Sequence, residues 1–200
     1  MHLSSYQHMQ DLVGRYLDRG RRMEILDIGS SDVVTPDPAQ PGSYRPLFEN
    51  PGWRYRGIDL EPGKNVDIVM SNPNLLPLPS ATADVIVSGQ AFEHVEFFWI
   101  LFLEMARVTK PGGHIFLIAP SRGPEHRYPT DCWRFYPDGY RALAKYAGLE
   151  LVEVSTDWAP HPVADSAQWG DTVGVFRRPH GGSWRVALRG ALIGLASRIV

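Results

Sequence analysis

Cysteine is nearly absent from this chain of 200 residues; Cys132 stands alone, so no internal disulfide can brace the fold. An excess of charge of either sign is missing as well. Twenty lysines and arginines face 22 aspartates and glutamates, for a formal net charge of -2. That balance offers no basic field to hold a polyanion by counterion release, so nucleic acid is a poor expectation as partner. Long apolar runs are lacking too. The stretch WRVALRGALIGLASRIV (184–200) is interrupted by Arg185, Arg189 and Arg198, and no transmembrane segment is expected. The opening MHLSSYQHMQ has neither the basic nor the apolar region of a secretory leader, which argues for a cytoplasmic protein. No internal repeat or low-complexity tract interrupts the chain. What is present is 44% hydrophobic residues, enough for one sizeable core and one domain spanning 1–200.

The apolar residues are patterned. Leu3, Tyr6, Met9, Leu12, Val13, Tyr16 and Leu17 recur at helical spacing within an N-terminal helical segment (1–22), with Gly20 placed as a left-handed cap. Short apolar runs ending in small or polar residues follow at 24–28, 55–60, 67–69, 84–89 and 114–120, the pattern of buried parallel strands. Between the last two, 92–108 reads as an aromatic-rich helix that stops at a KPGG turn (110–113). A further helix is expected over 137–148, from Pro137 in its first turn to Gly148 at its end, with closing strands at 149–155 and 171–178. The segment 184–200 carries Trp184, Leu188, Leu192, Leu195 and Ile199 at helical spacing and predicts an amphipathic helix for packing or a homodimer contact. The alternation gives an α/β, Rossmann-like doubly wound sheet, with long connections at 29–43 and 120–136.

In such a sheet, ligands bind beyond the carboxyl ends of the strands at the switch point. The first strand runs into Gly29, Ser30 and Ser31, small residues that open the backbone to a ligand, and Asp27 can take an ammonium or orient water. Asp59 closes the second strand, where a carboxylate can accept both hydroxyls of an adenosine ribose. The second glycine of a dinucleotide fingerprint is absent, which weakens nicotinamide and flavin readings.

The segments EILDIGSSD, YRGIDLEPGKNVDIV, LPLPSATADVIVSGQAFEHV and EMARVTKPGGHIFLIAP, in this order over about 24–120, resemble class I S-adenosylmethionine-dependent methyltransferases. The resemblance implies a seven-stranded, mostly parallel sheet with the last strand antiparallel, and S-adenosylmethionine as cofactor. It also implies that Asp27, Gly29 and Ser30 line the methionine end, Asp59 binds the ribose, and Leu60 and Asn72 flank adenine. Gly89 and Gln90 would lie beside the sulfonium.

The loop SRGPEHRYPTDCWRFY (121–136) leaves the same rim and carries acceptor chemistry. His126 can accept a proton and Asp131 can orient it or act itself, with His94 as an alternative base. Arg122, Arg127 and Arg134 can donate to hydroxyls, while Tyr128, Trp133 and Tyr136 offer flat faces to the C–H side of a sugar. Cys132 reads as a buried thiol without a partner. His2, His8, His161 and His180 are not spaced as a metal-binding set, so no metal is expected. The segment 121–153, with GSYRPLFE, also resembles small sugar O-methyltransferases of glycan biosynthesis. That resemblance implies a small carbohydrate acceptor, such as the 1-hydroxyl of a short 3-O-methylated mannoside on the way to a polymethylated polysaccharide. The competing expectations are methylation of another small metabolite and cofactor binding without turnover.

Overall fold

Strand β1 (Met23–Ile28) is apolar on both faces because it is covered on both, and it pairs in parallel with β2 (Trp53–Asp59) and β4 (Ala83–Gly89). In the computed structural model, which describes residues 2–32 and 41–181, these strands form the centre of a seven-stranded sheet. The order is β3-β2-β1-β4-β5-β7-β6, with β3 (Ile68–Val69), β5 (Thr109–Pro120), β6 (Glu150–Thr156) and β7 (Asp171–Arg177). Strand β7 runs antiparallel to both β5 and β6, so the last strand is reversed, as the resemblance implied. The chain order reverses between β1 and β4, which places the switch point at their carboxyl ends.

Helix α1 (Leu3–Tyr16) covers one face, burying Met9, Leu12 and Val13 with Tyr44, Phe48, Val87, Phe116 and Ile118. Helices α2 (Phe98–Val108) and α3 (Pro137–Ala147) cover the other, where Phe102, Met105 and Tyr140 meet Leu26, Ile86, Leu117 and Phe176. Each such fully buried large side chain contributes about 1.5–3 kcal/mol relative to exposure. Helix α3 starts on Pro137 and ends where Gly148 turns left-handed at φ 70°, its N–H donating to Ala144 O. A single turn, α4 (Ala164–Ala167), precedes β7.

Two local expectations are corrected. Helix α1 ends at Tyr16 and the chain turns extended at Leu17; Gly20 instead sits in a turn, its N–H donating to Asp18 Oδ1 at 2.8 Å. The KPGG segment is not a free turn, because β5 already begins at Thr109. The Gly112 N–H donates to Arg178 O at 2.7 Å and the Arg178 N–H to Gly113 O at 2.9 Å, a ladder to a distant segment that outweighs local turn preference. The described part of the β1–β2 connection contains no α-helix and carries one 3₁₀ turn, Arg45–Phe48. No helix among the described residues is long and apolar enough to cross a membrane. The helix expected over 184–200, and the dimer contact assigned to it, lie outside the described residues.

Candidate active site

The carboxyl end of β1 is built for close approach. Gly29 adopts φ 76°, and a Cβ there would stand 2.4 Å from the Ala91 Cβ. The N–H groups of Gly29 and Ser30 both donate to Ile58 O, at 2.9 and 3.2 Å, which folds the turn against β2. Asp27 is buried beneath this turn and accepts a short hydrogen bond from the Tyr55 hydroxyl. Burial pushes its carboxyl up to about 7. Asp59, at the tip of β2, accepts the Ser31 N–H at 2.8 Å and the Leu60 N–H at 2.7 Å, one on each carboxylate oxygen. Each oxygen keeps a lone pair for a ribose hydroxyl. Leu60 is exposed beside it, and Asn72 Oδ1 accepts the Asn74 N–H at 2.8 Å, ordering the turn that follows β3. These positions fit the cofactor that the resemblance implies: a carboxylate for the ammonium end, a side-chain-free turn, and a second carboxylate for the ribose.

Across the switch point, Gly89 is kept bare by Tyr44, whose hydroxyl oxygen would stand 1.9 Å from an added Cβ. Tyr44 is buried and shares a hydrogen bond with the Ser5 hydroxyl. Gln90, at φ 58°, turns its side chain away from the rim: its amide donates to Asp171 Oδ1 at 2.8 Å and to Ser5 Oγ at 3.2 Å. Burial would raise the Asp171 carboxyl, but the His2, Ser4 and Gln90 donors outweigh it and hold Asp171 low. Gln90 therefore supports the rim through a buried network with α1.

The acceptor side centres on a residue the sequence reading passed over. Glu93, in the 3₁₀ turn Phe92–His94, is fully buried, and neither carboxylate oxygen has a hydrogen-bond partner among the described residues. Burial pushes its carboxyl up to about 8. Its signal lay in the FEHV stretch, where an acid sits among aromatics just after a strand. One carboxylate oxygen lies 3.7 Å from His94 Nε2. His94 Nδ1–H donates to Thr130 O at 2.6 Å, which leaves Nε2 with its lone pair free. The His126 ring packs edge-on against His94 at 4.8 Å and against Trp169 at 4.4 Å. Burial lowers both imidazoles, so both are neutral bases near neutral pH; for His126, neighbouring His94 adds to the effect.

The other acceptor candidates divide. Asp131 is corrected as a base: Arg134 grips it at 2.6 and 2.9 Å, the His126 N–H donates to it at 2.8 Å, and these donors hold it well below the usual carboxylate range. Arg134 is thereby occupied, and Arg122 is spent on the carbonyls of Trp158 and Ala167, at 2.9 and 3.2 Å. Arg127 is exposed. Trp133 donates its indole N–H to Val95 O and Glu96 O, at 3.1 and 3.2 Å, and packs on Phe98, so it anchors the loop. Tyr128 is 60% exposed with its ring 6.2 Å from that of His94, and Tyr136 stacks on exposed Trp158 at 6.1 Å. Cys132 is exposed, not buried; its N–H donates to Glu93 O at 2.7 Å, tying the loop to the Glu93 turn. His2 and His8, unpartnered in sequence, meet Asp171 at 3.1 Å and Asp157 at 2.7 Å through the fold.

Residues 40–117 match a family described as a methyltransferase domain. An uncharacterized methyltransferase of Mycobacterium bovis is 30% identical over 197 residues, covering 86% of this chain and 69% of the relative. Another, from Mycolicibacterium gilvum, is 26% identical over 176 residues, covering 78% of this chain and 64% of its own length. The chain thus spans about two thirds of the length of the curated relatives it matches. Among solved structures, an S-adenosylmethionine-dependent methyltransferase from Mesorhizobium loti superposes with a TM-score of 0.61 at 15% identity, covering 86% of this chain and 98% of that one, a likeness of fold alone. With the sheet order and these relatives in hand, the chain belongs to the class I S-adenosylmethionine-dependent methyltransferases.

Proposed function

We propose that this methyltransferase transfers its methyl group to a hydroxyl oxygen of a small carbohydrate in the cytoplasm. The 1-hydroxyl of a short 3-O-methylated mannoside, in polymethylated polysaccharide biosynthesis, is the acceptor that the loop resemblance suggests. The observation that carries the reading is the acceptor rim itself: Glu93 and two neutral imidazoles, His94 and His126, flanked by exposed aromatic rings. Oxygen is a weak nucleophile while it holds its proton, so an O-methyltransferase needs a group to relieve it of that proton at the moment of attack. Here the hydroxyl loses its proton at the Glu93–His94–His126 cluster, the S–C bond of the sulfonium breaks and an O–C bond forms in line. Tyr128, and the Tyr136–Trp158 stack, offer apolar faces suited to the C–H side of a pyranose. The apolar spacing of 184–200 supports a homodimer as the acting form.

Transfer of label from methyl-labelled S-adenosylmethionine to a panel of mannosides, glucosides and small phenols tests this reading, with product regiochemistry by NMR. Methylation of a mannoside hydroxyl is expected. Labelling confined to phenols overturns the sugar assignment, and no transfer to any acceptor favours a cofactor-binding role.

A further inference from the structure

We propose that Glu93, His94 and His126 bind one divalent transition-metal ion of the zinc class, and that the ion's open position takes the acceptor hydroxyl. One carboxylate oxygen of Glu93 and one ring nitrogen from each histidine lie within 4.8 Å of one another. Ligands tetrahedral about an ion at ~2.1 Å are ~3.4 Å apart. The 3.7 Å between Glu93 and His94 Nε2 is already near that value, and the three ligand atoms, within 4.8 Å of one another, would draw in by about 1.4 Å at most on binding. Imidazole and carboxylate together suit zinc, cobalt or iron better than the hard cations, which prefer all-oxygen sites. Three protein ligands with a vacant fourth position is the composition of catalytic rather than structural zinc sites.

Two orphaned groups point to an occupant. Both oxygens of fully buried Glu93 and the buried Nδ1 of His126 lack hydrogen bonds among the described residues, the Nδ1 standing 3.5 Å from Asp131 Oδ2. A carboxylate buried with both oxygens unpaired is costly, so Glu93, grouped with a ring nitrogen of each histidine, calls for a compensating ligand. The outer shell is also in place. His94 Nδ1–H donates to Thr130 O, fixing Nε2 as the coordinating atom, and Thr130 Oγ1 donates back to His94 O at 2.9 Å. Asp131, itself clamped by Arg134, accepts the backbone N–H of His126, and Glu93 O accepts the backbone N–H groups of Cys132 and Trp133. The turn at 92–94 and the loop at 126–133 are thereby laced together around the three ligands. The second grouping, His8, Asp157 and Asp171, has no such vacancy: His8 already bonds Asp157 at 2.7 Å, and His2, Ser4 and Gln90 fill Asp171.

The proposal rests on the O-methyltransferase reading for the ion's role, not for its binding. With the ion held by Glu93, His94 and His126, those imidazoles would have no lone pair left for the proton; the ion would instead acidify the acceptor hydroxyl, whose proton would pass to water as the oxygen takes the methyl group from sulfur. This departs from the sequence expectation of no metal, because three ligands separated by up to 33 positions form no linear motif.

The test uses the full chain, stripped with chelator and titrated with Co²⁺, read by calorimetry and by visible absorption, with Zn²⁺ as competitor. One equivalent should bind with a ligand-field spectrum that Zn²⁺ erases. His94→Ala and His126→Ala should each weaken binding by ~100-fold or more, while His8→Ala binds as the parent does. Thermal melts of each variant separate loss of ligand from loss of fold, and Glu93→Gln, which keeps the shape of the side chain, should weaken binding without unfolding. Absence of stoichiometric binding, or binding lost in His8→Ala and kept in the other two, overturns the site. Methyl transfer is then compared in stripped and reloaded enzyme. Full activity in the stripped protein sinks the ion's role and leaves the O-methyltransferase reading standing. Binding at these residues with no methylated sugar does the reverse.

Discussion

Asp131 and Arg134 form a two-pronged ion pair across three residues of the acceptor loop, with guanidinium nitrogens 2.6 and 2.9 Å from the two carboxylate oxygens. The Asp131 side chain is 3% exposed and that of Arg134 21%, so the pair is largely shielded from water. Its geometry makes Asp131 a positioning residue: it holds the His126 backbone and leaves no free oxygen to take a proton. Asp131→Asn should cost about 3 kcal/mol of stability, because it strands a mostly buried guanidinium. The carboxyl is held low in the fold, so its contribution is present above the unfolded value near 4 and is lost as pH falls below it. Denaturant melts of parent and variant across that range check both statements, and an unchanged midpoint would remove the loop clamp from the account.

Asp27 should make cofactor affinity depend on pH. Its carboxyl is raised to about 7 by burial, so at lower pH the free protein holds it protonated and binding an ammonium must expel that proton. Affinity should then fall by about tenfold per pH unit below the folded value and level off above it. The raised value also means that the ligand-free fold loses stability as pH rises from the unfolded value through about 7. Asp27→Asn should therefore be more stable than the parent at high pH while binding the cofactor weakly, with a flat pH profile. Calorimetry and thermal shift over the same buffers read both effects.

Asp59 should account for a large share of nucleoside recognition, since both of its oxygens are oriented by backbone N–H groups and keep a lone pair outward. Asp59→Ala should weaken S-adenosylmethionine and its demethylated product by roughly 1.5–3 kcal/mol. Equal affinity in parent and variant would place the ribose elsewhere.

Substitution of His126 or His94 should slow turnover while sparing cofactor affinity, because both lie on the acceptor side of the rim. A loss of ~10²–10⁴ in kcat is expected for each alanine variant. Normal turnover in both would shift hydroxyl activation away from this cluster.

Much of the architecture is legible along the chain because it is local. Apolar runs bounded by small residues mark the central strands β1, β2 and β4, and Pro137 and Gly148 bracket α3 through backbone chemistry that needs no tertiary partner. Where expectations missed, a distant partner decided. The turn signal of KPGG yields to the ladder between Gly112, Gly113 and Arg178, and Cys132 is exposed because the loop's anchoring falls to Trp133 and Phe135 instead.

By itself, then, the sequence determined the strand and helix periodicity, the bare turn at Gly29 and the carboxylates at the ends of β1 and β2, since each depends on spacing within one element. Only the tertiary structure decided what those residues and the loop can do. Asp131 is silenced as a base by Arg134, Gln90 is drawn inward by Asp171 and Ser5, and Glu93 is buried unpaired against His94 and His126. The physical reason is that protonation, burial and hydrogen-bond satisfaction belong to a side chain's surroundings. Those surroundings come from segments far apart in the chain, which packing alone brings together.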